Sequence, residues 1–154
     1  WEIAYNDPYS GKDYHVHMPG AMWIAGEQTP STAVDSLIST SFVGIYSGGA
    51  EGVRFNSSGS ISELTGGSTN LTIQFDPGAS VPVEGTISFT EVTLNVTSTT
   101  GAVTNSGFSA EISGAVSSDV NGTYYGPNAE AIGGNFGAKM SGGESYTGVF
   151  AGKR

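Results

Sequence analysis

From Phe42 to the end of the chain, apolar residues recur at every second position, in short runs separated by Gly, Ser and Asn, and this period of two dictates the fold class. Successive side chains of a strand point to opposite faces, so each run has one face to bury and one to leave in water. NLTIQFD turns Leu71, Ile73 and Phe75 inward and Thr72 and Gln74 outward. FVGIYSG groups Phe42, Gly44 and Tyr46, and EGVRFNS reads as a further strand with Val53 and Phe55 on its inner side. Later runs group Phe108, Ala110 and Ile112, then Ile132, Gly134, Phe136 and Ala138, then Tyr146, Gly148 and Phe150. Within VEGTISFTEVTLNVTS the inner parity changes, from Val83, Gly85, Ile87 and Phe89 to Val92, Leu94 and Val96. A bulge or sharp bend near Thr90 and Glu91 would produce that change, and so would two strands meeting at a very tight corner.

About eight strands result, and eight short antiparallel strands close most economically on themselves, which removes exposed edges. Gly85, Gly134 and Gly148 lie inside strands, where glycine suits a small, strongly coiled barrel whose backbones approach closely. The expectation is a mainly β fold, a small eight-stranded antiparallel soluble β-barrel over residues 42–154, with a sandwich as the alternative. Its outward positions include Thr86, Ser88, Ser109, Glu111, Glu130, Asn135 and Lys139, an exterior for water rather than the apolar outward band of a membrane-spanning barrel.

Residues 1–41 read differently. This lead-in is aromatic, broken by Pro8, Pro19 and Pro30, and lacks sustained periodicity. It is expected to pack against the barrel as turns and short strands, with Trp1, Tyr5, Trp23 and Ile24 as buried anchors. STAVDSLIST predicts a short helix or 3₁₀ turn over 31–39, capped by Ser31, with Ala33, Val34, Leu37 and Ile38 as its apolar stripe.

Charge narrows the partners. Fourteen acids against five bases give a net charge of -9, which argues against nucleic acid and anionic lipid surfaces, both of which are held by clustered Lys and Arg. There is no cysteine, so disulfides, zinc-thiolate sites and thiol catalysis are excluded. Neither a signal peptide nor a run of eighteen apolar residues is present, and the start at Trp1 suggests a processed or excised piece.

The sharpest chemical feature is DYHVHMPGAMW. Extended, this segment would project Asp13, His15 and His17 from one face, a pattern that a metal ion or haem edge could use. Tyr14, Met18 and Met22 are close enough in sequence to add a phenolate or thioether to haem iron. The same histidines also suit an ordinary rim. Carboxylate pairs for glycan hydrolysis would be Glu84 with Glu91, or Glu111 with Asp119, if strands brought them together. No G-x-S-x-G elbow, P-loop, H-E-x-x-H or EF-hand loop occurs, and the chain reads as a non-enzyme. The Ser/Thr-rich stretch NVTSTTGAVTNS reads as an exposed rim loop that could contact a partner.

The last third carries a resemblance. VNGTYYGPNAEAIGGNFGAKM followed by YTGVFAGKR resembles the closing strands of the transferrin-binding protein B type β-barrel domain. That family ends one strand in G-x-F/Y-Y-G-P and opens the next with A-x-E-x-G-G-x-F. Here stand Gly122, Tyr124, Tyr125, Gly126 and Pro127, then Ala129, Gly133, Gly134 and Phe136, with Ala131 at the usual carboxylate and Glu130 one place earlier. MWIAGEQTP is similar to the lead-in of such barrels. The resemblance implies a bacterial surface or secreted protein of a Gram-negative organism, from a family that binds host transferrin, haem or complement regulators. It lacks that family's full handle domain and lipid-bearing cysteine. The expected function is a non-catalytic binding module for haem or a host or bacterial surface protein. A structural or accessory barrel within a larger surface protein is the other reading.

Overall fold

A computed structural model of the chain describes residues 26–154 in full, and residues 2–6 and 13–17 as backbone. The latter form a hairpin of β1 (Glu2–Asn6) and β2 (Asp13–His17), paired antiparallel from Glu2↔His17 to Asn6↔Asp13. The expected anchors Trp1, Trp23 and Ile24, and the side chain of Tyr5, lie outside the described residues.

Helix α1 (Ser31–Ser39) forms where the sequence predicts it, but Ser31 is not its cap. Pro30 holds the N-cap position at φ -55 and ψ 136, and its carbonyl accepts from the N–H groups of Ala33 and Val34. Proline suits this place because its fixed φ and missing N–H cost nothing before the first turn. The helix ends in a Schellman arrangement: Ser41 takes φ 48, its N–H donates to Ile38 O, and the Phe42 N–H reaches back to Leu37 O at 3.0 Å. Val34 is fully buried, with Leu37 and Ile38 packed beside it, as the stripe predicts.

The barrel strands are β3 (Val43–Phe55), β4 (Ile61–Leu64), β5 (Ser68–Gln74), β6 (Val83–Ser88), β7 (Thr93–Thr97), β8 (Phe108–Ile112), β9 (Ala115–Tyr125), β10 (Ala131–Met140) and β11 (Ser145–Lys153). They form one antiparallel sheet in the order β11-β10-β9-β8-β7-β6-β5-β3-β4, and β11 pairs with β3 from Ser145↔Phe55 to Lys153↔Ser47 to close it. The result is a closed eight-stranded barrel with one extra strand. That extra strand is the far half of a bulged partner of β3: Ser68 opposes Gly49 and Leu64 opposes Gly52, so three residues of one strand face two of the other between them.

Two local readings are corrected. Val53 and Phe55 do not point inward, and Phe55 is 38% exposed. The two expected strands here are one, running through Gly48 and Gly49, so the parity of Phe42, Gly44 and Tyr46 continues to Gly52 and Arg54. The parity change at Thr90 and Glu91 is the tight corner rather than a bulge, since Ser88 pairs with Thr93 and the Phe89 N–H donates to Val92 O at 2.7 Å. The remaining inward side chains are buried as predicted, Phe42 and Val92 only partly.

The interior is filled by rows in which one bulky side chain covers strand glycines. Phe136, Gly148, Gly52 and Leu64 stand directly opposite one another across β10, β11, β3 and β4. A Cβ on Gly148 would meet the Phe136 ring at 2.7 Å, so the glycine is the room the ring occupies. Rings of Phe42, Phe75, Tyr124, Phe108 and Phe150 continue the packing with centroids 5.1 to 6.2 Å apart. The apolar interior and polar exterior are the reverse of a membrane-spanning barrel. Among the described residues no helix is long and apolar enough to cross a membrane.

Candidate functional site

The end of the barrel beside α1 is built by its loops. Residues 27–29 add to the end of β9: the Thr29 N–H donates to Tyr124 O, the Gly126 N–H to Glu27 O, and the Thr29 hydroxyl to Gly126 O at 2.7 Å. Tyr46 donates its hydroxyl to Ala129 O at 2.9 Å, and Tyr124 donates to Gly107 O at 3.2 Å, so each buried ring fastens a rim loop to the core. Burial pushes the Tyr46 hydroxyl up to about 12 and raises that of Tyr124 as well.

The loop at residues 98–107 is not a loose extension. It folds back on β8, where the Ser109 N–H donates to Ala102 O at 2.9 Å and Val103 bridges to Phe108. A turn from Thr104 to Gly107 is closed by the N–H and hydroxyl of Thr104, both donating to Gly107 O. Buried Val103 pins the loop from below, and Ser98, also buried, receives the Val83 N–H. Two adjoining depressions of ≈ 300 and ≈ 320 Å³ result between this loop and the outer face of β8 and β9. They share Gly101, Ala102, Ser109 and Asn121, and the first is also lined by Glu111 and Asp119. The groove is hydroxyl-, amide- and carboxylate-lined, with no Lys or Arg in its wall.

The predicted site residues divide three ways. Asp13, His15 and His17 lie at alternate register positions of β2, opposite Asn6, Ala4 and Glu2, with Tyr14 between them opposite Tyr5. Met18 and Met22 lie outside the described residues. Among the described residues no group of three or more His, Asp or Glu is placed to hold a metal ion. Of the carboxylate pairs, Glu84 and Glu91 do not meet: Glu84 sits opposite Thr72 and Thr97, and Glu91 occupies the corner beyond the other end of β6. Glu111 and Asp119 do line one groove.

Three carboxylates, Glu91 among them, are held down by hydrogen bonds. The Thr65 backbone N–H, with the Thr65 hydroxyl, holds Glu91 below the usual carboxylate range, and the Asn128 backbone N–H does the same for Glu130. The Tyr146 hydroxyl, followed by Arg54, lowers Glu144. Carboxylates pushed down and tyrosines pushed up are the opposite of what a general acid or base at neutral pH requires. Sequence reasoning missed the Arg54–Glu144–Tyr146 cluster altogether. The unbroken parity through Gly48 and Gly49, which carries Arg54 to the inner side of β3, is the signal that would have found it.

Among curated proteins, none matches the chain by sequence. Solved structures do match by fold. Transferrin-binding protein B from serogroup B Neisseria meningitidis, isotype 1, superposes with a TM-score of 0.61 at 20% identity, over 82% of this chain and 27% of that one. A double mutant of the protein from Haemophilus parasuis Hp5, described as a vaccine antigen, gives 0.58 at 21% identity, over 83% of this chain and 28% of that one. A surface lipoprotein gives 0.50 at 14% identity, over 99% of this chain and 80% of that one. The chain thus spans little more than a quarter of the transferrin-binding proteins it superposes on, and identities this low carry the fold alone. The family model for the C-lobe and N-lobe beta barrels of Tf-binding protein B matches residues 40–154, every strand of the closed barrel, and the chain belongs to that family.

Proposed function

We propose that this barrel is a non-catalytic binding module displayed at the surface of a Gram-negative bacterium, and that it engages a host protein through the groove between residues 98–107 and strands β8 and β9. One observation carries the reading: the barrel's interior is occupied by its own rings, while a Ser/Thr-rich loop is pinned in one conformation over a ligand-sized groove outside. A loop held by buried Val103 and by the Tyr124 hydroxyl is preorganised, which lowers the ordering cost of binding. The solved relatives named transferrin-binding proteins make transferrin the first host protein to try. Surface plasmon resonance with iron-loaded and iron-free transferrin is the test. Saturable binding that a Glu111→Lys, Asp119→Lys double variant loses supports the reading. Absence of saturable binding to both forms removes transferrin from it.

Haem capture is the second reading, favoured by Asp13, His15 and His17 at alternate positions of one extended strand. A Soret titration decides it. A stoichiometric shift lost in the His15→Ala, His17→Ala variant supports haem, and a featureless titration rejects it.

A further inference from the structure

Strand β4 ends the sheet order, and its outer edge pairs with no other strand among the described residues. The Asn56 N–H donates to Ser60 O at 2.9 Å across the β3–β4 turn, which sets the phase of the ladder. Opposed pairs in an antiparallel ladder alternate between bonded and non-bonded. Ser62 and Leu64 therefore bond to Arg54 and Gly52, while Ile61 and Glu63 turn their N–H and C=O groups away from β3. Thr65, next in that phase, confirms it: its N–H donates to Glu91 and its carbonyl accepts from the Thr90 N–H. The corner after β6 thus takes the edge groups of Thr65, whereas those of Ile61 and Glu63 have no partner among the described residues.

Beside this free edge lies an apolar pair. Ile61 is 63% exposed and stands directly opposite Phe55, itself exposed, on the outer face. Val53 continues the strip opposite Glu63, and Glu51 follows one pleat further along β3. Lys139 lies two strands away, opposite Ser145, which pairs with Phe55. A strand added here would gain main-chain hydrogen bonds from Ile61 and Glu63, apolar contact from the Ile61–Phe55 pair, and a carboxylate at Glu63. A second copy of this chain suits the edge poorly, since it carries the same Glu63 and the same net charge of -9.

We propose that the edge of β4 takes an extended segment of a protein partner as an added strand, with an apolar and a basic residue two positions apart that meet Ile61 and Glu63 on the same face. The strands involved are not those that line the groove, so this surface stands whether or not the groove binds a host protein.

The test is amide NMR of the full chain with two short peptides, one repeating Val-Thr-Lys-Thr and the other repeating Val-Thr-Glu-Thr, so that the apolar and charged residues of each share a face. In the free chain the Ser62 and Leu64 amides are expected to exchange slowly and those of Ile61 and Glu63 fast. The lysine peptide is expected to shift the Ile61 and Glu63 amides and slow their exchange by about tenfold or more. The glutamate peptide leaves them unchanged. Glu63→Gln weakens the lysine peptide several-fold, and Ile61→Pro, which removes an outward N–H without touching the β3 ladder, abolishes it. Slow Ile61 and Glu63 amides in the dilute free chain would overturn the proposal by showing that the chain fills its own edge. Slowing that rises with protein concentration alone would assign the edge to a second copy. Equal affinity for both peptides, or shifts confined to other strands, would equally reject it.

Discussion

The two ends of the barrel are finished by different physics. At the helix end the work is done by burial: Val34 of α1, Phe75, Tyr46 and Tyr124 are all but excluded from solvent, and Arg154 lies 4.6 Å over the Phe42 ring. Two tyrosine hydroxyls are driven deep there, each paired to a loop carbonyl. At the hairpin end, where β3, β9, β10 and β11 turn around, the fastenings are polar. Arg54 pairs with Glu144, which also accepts from Tyr146 at 2.8 Å, and Glu91 holds Thr65. That end also carries the irregularities: the bulge at residues 65–67, and exposed Val116, the extra residue where the β9–β10 register shifts. A packed end can hold a rim loop rigid enough to shape a groove. A polar end can leave a sheet edge open without unravelling the core.

The largest expected contrast is in large-to-small substitutions. Phe75→Ala removes a ring packed between Phe42 and Tyr124 and should cost about 3–5 kcal/mol. Phe55→Ala, on a half-solvated ribbon, should cost no more than about 1 kcal/mol. Urea melts of both variants check this, and equal losses would break the distinction between the ends.

Next in size is the tyrosine pair. Tyr46→Phe removes one of two donors to the Ala129 carbonyl, which keeps the Arg154 Nε–H at 3.1 Å, and should cost about 1 kcal/mol. The same hydroxyl gives the helix end a pH signature. Its folded-state value of about 12 exceeds the ordinary 10.0, so its contribution is whole below pH 10 and is lost as pH rises toward 12. Tyr124, raised in the same direction, adds to that loss. Thermal melts across this alkaline range should show the midpoint falling less steeply in Tyr46→Phe than in the parent chain.

What the sequence shows and what it hides follow the same division. Period-two alternation made the inner faces of β5, β6, β7, β8, β10 and β11 legible, because burial there depends on each strand alone. The stripe of α1 was legible for the same reason. Strand β3 was not, since Gly48 and Gly49 look like a turn until β11 and β5 are seen to flank them, and only a continuous strand sends Arg54 inward and Phe55 out. Ser31 resembled a cap, yet Pro30 is held in that place by chain entry from β9, a tertiary fact. The groove was half legible: the Ser/Thr loop and the Glu111–Asp119 pair were each visible, but the fold-back on Ser109 that joins them depends on Val103 finding the core.

The smallest expected effect tests the polar end. Glu144 is held below the usual carboxylate range by the Tyr146 hydroxyl first and Arg54 second. A depressed folded-state value means the contribution is present above the unfolded carboxylate range and disappears as pH falls through the lower folded value. Glu144→Gln should therefore leave the alkaline limb of the stability profile untouched and flatten the acid limb slightly below pH 4.5, the ordinary carboxylate value. The change must be small because the pair sits at the surface, where solvent screens it, and it should shrink further in added salt. Glu91, held by Thr65, and Glu130, held by Asn128 at the helix end, titrate in the same direction, so single variants are needed to separate them. If Glu144→Gln instead lowered stability at neutral pH as much as Tyr46→Phe does, the Arg54 Nε would be the reason. That nitrogen is buried without a hydrogen-bond partner, and Glu144 would then be compensating a charge held in the core rather than fastening a rim.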